Sequence, residues 1–121
     1  MGIIETQVQE SIDITSQCPW GTNSIISSAT KEKKITYYPQ TRTVSGWFVV
    51  YTESNITSNT NLMTIGEEYR PKNQTPVPMV LVYGDSYTTM VYKGEIYTNG
   101  NIYETLGSYA HRILCTFEYQ I

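Results

Sequence analysis

Ionisable chemistry is scarce in this chain. His111 is its one histidine, and Cys18 and Cys115 are its two cysteines. Any Ser-His-Asp or Cys-His site would therefore have to be built on His111. Cys115 lies four residues further on, which along an extended strand is about 13 Å away. No neighbouring residue reads as a nucleophile on a strained elbow. Two cysteines are too few for a disulfide scaffold and lack metal-ligand spacing, so neither a metal nor another cofactor is expected. Cys115 sits in an apolar, alternating stretch and reads as a buried free thiol, with a Cys18–Cys115 bridge as the alternative.

Charge is thin as well. Only 16% of residues are charged, against about 25% in an average globular protein. The net charge is −3, and Lys31, Lys33 and Lys34, interrupted by Glu32, form the one basic cluster. A nucleic-acid partner needs a basic face and is not expected. No run approaches the roughly 18 apolar residues of a membrane span, and the N-terminus has no basic-then-apolar signal pattern. Glu67 and Glu68 would point to opposite faces of an extended chain, and Glu95 is expected opposite Glu104 across a hairpin. Neither is the spaced carboxylate pair of glycoside hydrolysis. Phosphate, calcium and dinucleotide motifs are missing. Catalysis is accordingly not expected.

What the chain does have is tyrosine, eleven against two phenylalanines. Tyr, Thr, Val and Ile favour strands, and Tyr also suits rigid surfaces that are apolar and hydrogen-bonding at once. Short strand candidates recur at even spacing. Ser11–Thr15 is a weak one, followed by a turn cluster at Cys18–Asn23 and a loop or weak strand at Ser24–Thr30. Lys34–Tyr38 is ended by Pro39. Val44–Thr52 is the strongest: Val44, Gly46, Phe48 and Val50 point one way and Ser45, Trp47, Val49 and Tyr51 the other. Large apolar groups on both sides predict a central strand covered on both faces, by a second sheet or another subunit. Glu53–Asn61 reads as a polar loop around Ile56.

Met63–Pro71, Met-Thr-Ile-Gly-Glu-Glu-Tyr-Arg-Pro, reads as a strand end, a turn at Gly66 and an extended exit into Pro71. Val77–Tyr83 is a strand whose Pro76 and Pro78 suggest an edge position at its start. A tight turn at Gly84–Ser86 leads into Tyr87–Tyr92. Asn99-Gly100 predicts a two-residue hairpin turn pairing Tyr97 with Ile102 and Ile96 with Tyr103. Gly107–Arg112 reads as a loop. In Ile113–Ile121, Ile113, Cys115, Phe117, Tyr119 and Ile121 face in, and Leu114, Thr116, Glu118 and Gln120 face out. Seven to nine strands without an amphipathic helical window predict an all-β antiparallel sandwich or barrel. Residues 1–32 are expected to be a connector or short strand region and residues 33–121 the β-sandwich or barrel head.

With catalysis set aside, recognition remains. Aromatic faces stack on pyranose rings, and forked polar groups hold hydroxyls. Candidates by residue type are Trp47, Asp85, Tyr92, Tyr109, His111 and Arg112. Each also suits an ordinary place in a sheet or at its rim.

The order Met-Thr-Ile-Gly-Glu-Glu-Tyr-Arg-Pro, a variable strand, then Gly94-Glu-Ile-Tyr-Thr-Asn-Gly-Asn-Ile-Tyr103 resembles the C-terminal heads of tailed-phage receptor-binding proteins and fibre tips from Gram-positive hosts. The resemblance spans roughly residues 33–121, with Ile65-Gly66 where such heads more often carry Leu-Pro. It implies a jelly-roll-like homotrimeric head in the virion, at a tail tip or baseplate. Its expected contacts are other tail proteins and a cell-surface saccharide of the host. Two alternatives share these features: a structural trimerisation module of a baseplate or fibre that binds no sugar, and a carbohydrate-binding module of a tail-associated hydrolase.

Overall fold

The structure, a computed structural model, describes residues 10–83, 86–105 and 110–121. It is all-β: one curled antiparallel sheet of eight strands forms a half-barrel. The strands are β1 (Ile12–Asp13), β2 (Thr30–Tyr38), β3 (Thr43–Ile56), β4 (Met63–Thr64), β5 (Thr75–Tyr83), β6 (Ser86–Ile96), β7 (Asn101–Glu104) and β8 (Ala110–Gln120). Their order across the sheet is β1-β2-β3-β8-β5-β6-β7-β4.

The concave face holds the core. Ile35, Val44, Phe48, Val50, Met79, Leu81, Ile113 and Cys115 are buried there, at the alternate positions that a strand's two-residue period sends to one side. Gly46 takes its place in that row because a Cβ would lie 2.5 Å from the Phe117 ring. β3 runs past its expected end at Thr52 to Ile56, and its register against β8 shifts between Tyr51 and Ile56. Ile56 is fully buried: one apolar side chain draws a polar stretch into the sheet.

The segment from Ile12 to Gly21 joins the sheet's two margins. At its start, Ile12 and Asp13 pair with Tyr37 and Thr36 of β2, and Ile14 N–H donates to the Ile35 carbonyl at 2.9 Å. At its end, Trp20 bridges to Met63 of β4, and Thr64 N–H donates to the Pro19 carbonyl at 2.9 Å. Ile14, Cys18 and Ile26 belong to the same buried cluster as Phe48. Residues 12–29 are thus part of the body, and the division at 32/33 cuts through β2.

A short helix, α1 (Ser24–Ser28), stands where a loop or weak strand was expected. Asn23 Oδ1 accepts from the backbone N–H of Ile25 at 2.9 Å and of Ile26 at 3.2 Å, as a helix N-cap does. One turn of helix is too short to show a hydrophobic period.

The Tyr97–Asn101 turn also differs from expectation. Gly100 has φ +89°, and its N–H donates to the Tyr97 carbonyl while Tyr97 N–H donates to the Asn101 carbonyl, both at 2.8 Å. This is a three-residue loop closed by a left-handed glycine, whereas the two-residue turn needs positive φ at Asn99 too. The register moves by one: Ile96 pairs with Ile102, Glu95 with Tyr103 and Gly94 with Glu104. Glu95 and Glu104 are therefore not opposite each other, and Glu104 is buried.

The prolines fall where a ladder partner is missing. β5 lies between β6 and β8, yet β8 pairs only with Met79–Val82. The Pro76–Pro78 stretch pairs on one side alone, with a bulge between Val77 and Met79. Met63–Pro71 forms β4, a 3-10 turn at Glu67–Tyr69 and an extended Arg70. Glu67 and Glu68 lie in that turn, exposed, instead of on a straight strand.

Candidate functional site

The convex side of β2, β3 and β8 is the feature that the core does not explain. Three exposed large apolar side chains share it, Trp47, Tyr51 and Leu114. Cross-strand register sets four rows. Thr36, Ser45 and Glu118 make the first, and Lys34, Trp47 and Thr116 the second. Glu32, Val49 and Leu114 make the third, and Thr30, Tyr51 and Arg112 the fourth. β5 continues the third row with Val80 beside Leu114. The expectation that β3 is central holds, and its inner side is covered. Its outer side is open in the single chain: Trp47 is 37% and Tyr51 46% exposed.

Two hollows mark this face. A groove of about 590 Å³ runs past Trp47, with Lys34, Thr36, Ser45, Thr116 and Glu118 along it. A second, of about 380 Å³, lies between Val49, Tyr51 and Leu114, edged by Glu32 and Arg112. The Arg112 guanidinium stands 4.8 Å from the Tyr51 ring centre. That stacking orients the guanidinium along the sheet and holds the ring.

Of the six candidates named from sequence, Trp47 and Arg112 share this outer face. They are not neighbours. Arg112 pairs with Tyr51, four residues along β3 from Trp47, which is about 13 Å. His111 and Arg112 belong to β8 and not to a loop. Alternation puts His111 on the side of Ile113 and Cys115, away from Trp47. Tyr92 lies in β6, its side chain outside the described set. Asp85, Tyr109 and the tight turn at Gly84–Ser86 likewise involve residues outside it.

Inside, the thiols are both free and buried. Burial pushes the Cys115 thiol up to about 12, so it stays protonated at neutral pH and is a poor nucleophile. Burial raises Cys18 as well, against the pull of the Gly66 backbone bond and of Lys33. Lys33 is drawn inward: its ammonium donates to the Cys18 carbonyl and sits 4.8 Å from the Trp20 ring centre. Desolvation lowers its pKa. Lys31 likewise turns inward to the Ser27 and Ala29 carbonyls. The basic cluster is thereby split, with Lys34 alone on the outer face. Among the described residues no group of three or more His, Cys, Asp or Glu is placed to hold a metal ion.

Sequence reasoning by residue type missed Tyr51, Leu114 and the charges beside them. The signal was present in β3, whose two sides are both apolar, and in the outward positions of β8. Comparison with protein-family models, with curated proteins and with solved structures finds no match to this chain.

Proposed function

We propose that this chain is a non-catalytic attachment head of the tailed-phage type, which works as an assembly of its own copies and touches a bacterial cell-surface saccharide with groups left outside the contact. The observation that carries this reading is the uncovered outer face of β2, β3 and β8, where Trp47, Val49, Tyr51 and Leu114 lie side by side. Exposed apolar side chains scattered singly need no explanation, but a contiguous patch marks an interaction site. Removing it from water is worth about 25 cal/mol for each Å². A second copy is the partner every solution of this protein contains.

The same face favours a second reading, a structural association module of a baseplate or fibre that binds no sugar. Trp47 and Arg112 are the described candidates that stand outward, and both lie within the surface that copies would cover. Sedimentation of the purified chain comes first; a monomer at every concentration would sink the self-association on which both readings stand. A pull-down of the assembled protein on bacterial cell walls then separates them. Retention that soluble wall saccharide competes away supports the attachment head. No retention at high protein concentration supports the structural module.

A further inference from the structure

We infer that the saccharide is taken by the outer side of β4, β6 and β7, where the Tyr97 and Tyr103 rings stand beside a hydrogen-bonded rail of Asn61, Thr64 and Asn101, and that this site holds an uncharged sugar ring. The inference rests on the attachment reading above and names the groups that it leaves outside the contact between copies. In the sheet β5 separates these strands from β8, so the site lies apart from the Trp47 face.

Alternation builds this side. Ile96, Ile102 and Met63 form one row across the three strands and are buried. Asn101 and Tyr103, on either side of Ile102, therefore point out. Glu95 lies opposite Tyr103, and Thr64 opposite Asn101. The three-residue loop then brings Tyr97 back to Asn101, whose carbonyl accepts its N–H at 2.8 Å. The two tyrosine rings meet at 5.1 Å between centres and 61° between planes, so they make a corner and not one flat stack. Tyr97 is 38% exposed. An open phenol ring offers an apolar face to the C–H groups of a saturated ring and a polar tip to its hydroxyls.

The polar groups are set before any ligand arrives. Asn61 Oδ1 accepts from the Ile102 N–H at 3.2 Å, and Asn61 Nδ2 donates to Thr64 Oγ1 at 2.9 Å. Thr64 Oγ1 donates to Asn101 Oδ1 at 2.8 Å, and Asn101 Nδ2 to the Tyr103 hydroxyl oxygen at 3.1 Å. Donation thus runs one way along the rail. It ends on the Tyr103 hydroxyl, whose own hydrogen has no acceptor among the described residues. In the Tyr103 row, Gln74 Nε2 donates to Glu95 Oε2, which leaves Oε1 to accept. A donor and an acceptor beside an aromatic corner match adjacent pyranose hydroxyls, each of which gives one hydrogen bond and takes another. Groups already held by the protein lose little freedom on binding.

The same features exclude other occupants. Glu95 is the one charged residue among Glu95, Tyr103, Tyr97, Asn101 and Thr64, so a phosphate-bearing polymer meets repulsion there instead of a counter-charge. Arg70 lies beside Gly100 at the loop, outside these rows, and its Nε–H donates to the Ile65 carbonyl at 2.9 Å. A peptide cannot add as a strand, because the outer edge of β4 is taken. Thr64 N–H donates to the Pro19 carbonyl at 2.9 Å, and Gly21 N–H to the Leu62 carbonyl at 3.0 Å.

The test is retention of the full chain on purified Gram-positive cell walls. Two soluble fractions of those walls compete, the neutral polysaccharide and the phosphate-bearing polymer. The unaltered protein is retained, and the neutral fraction displaces it. Tyr97→Ala removes the exposed ring and weakens retention about tenfold. Tyr103→Phe removes only the terminal hydroxyl and weakens it about fivefold, the worth of one hydrogen bond. Both variants melt and sediment like the unaltered protein, since neither residue belongs to the buried cluster or to the Trp47 face. Retention that survives either change overturns the site and leaves the attachment reading standing. Loss that comes only with a lowered melting temperature makes the rail a brace for β4 and overturns the site too. Displacement by the phosphate-bearing polymer alone overturns the uncharged ligand. No retention of the unaltered protein overturns the attachment reading, and this site with it.

Discussion

At the residue scale, the Tyr119 hydroxyl donates to the Tyr69 carbonyl at 2.5 Å, tying the last strand to the turn before Pro71. Tyr119→Phe should cost about 1–2 kcal/mol, because the Tyr69 carbonyl would lose its partner, measurable by urea unfolding. Burial raises the pKa of the Tyr119 phenol and of the Cys115 thiol. For Cys115 the ordinary value is 9.0 and the folded value about 12. Above pH 9 the unfolded thiol has lost its proton while the folded one keeps it. Stability is therefore fully present below pH 9 and falls as pH rises towards 12, by up to about 1.4 kcal/mol per pH unit for one proton. Unfolding free energies measured across that window should slope less steeply in Cys115→Ala, whatever the variant loses at neutral pH. Arg42 sits at φ 54° in the turn between β2 and β3, a conformation that glycine adopts without a Cβ penalty. Arg42→Gly should raise stability by about 1 kcal/mol, seen as a higher melting temperature. The inward row of β8 was legible residue by residue, since one side was apolar and the other was not. Lys33 was not: a lysine reads as solvated until the Cys18 carbonyl and the Trp20 ring that receive it are known.

At the scale of elements, the strands followed their alternation, and the departures trace to short-range detail. The turn at Gly100 shows why. Asn99-Gly100 suits a two-residue turn, but the left-handed residue is Gly100 alone, and a Cβ there would lie 2.5 Å from the Ile65 carbonyl oxygen. Ile65 N–H in turn donates to the Gly100 carbonyl at 2.9 Å. The turn is shaped against the Met63–Pro71 stretch, a tertiary contact that local sequence does not display. Helix α1 carries its own start signal in Asn23, but too few residues to show a period. Its Ile26 is fully buried while its serines are exposed. Asn23→Ala removes the acceptor of two backbone N–H groups and should cost about 1 kcal/mol. Asn23→Asp, which keeps the acceptor, should cost less; thermal melts of the two variants decide whether the cap or the loop around it carries the effect.

At the scale of the molecule, an all-β body was legible because no helical period competes with the strand pattern. Its closure was not, because the segment that closes it is mostly not strand. Residues 14–21 contain a 3-10 turn, a proline and one isolated bridge, yet they join β2 to β4 and place Ile14 and Cys18 in the core. The Trp20 ring meets Phe48 edge-on at 6.1 Å between centres. The outer face was half legible: the apolar groups on both sides of β3 announced an apolar outer surface, but the order of charges across β2 and β8 exists only once their register against β3 is known. Closure leads to the last prediction. A chain shortened to residues 33–121 would lack Ile14, Cys18 and Ile26 and the first three residues of β2. Each lost side chain of that size is worth a few kcal/mol in a core, and together they approach the 5–15 kcal/mol that a whole domain has to spare. The shortened chain should therefore fail to fold, with a broad, non-cooperative melt. In the full chain the amide protons of Gly21 and Thr64, bonded to the Leu62 and Pro19 carbonyls, should exchange no faster than those at the centre of β3. A shortened chain that melts sharply, or early exchange at both amides, would make residues 12–29 an appendage of the sheet instead of the piece that closes it.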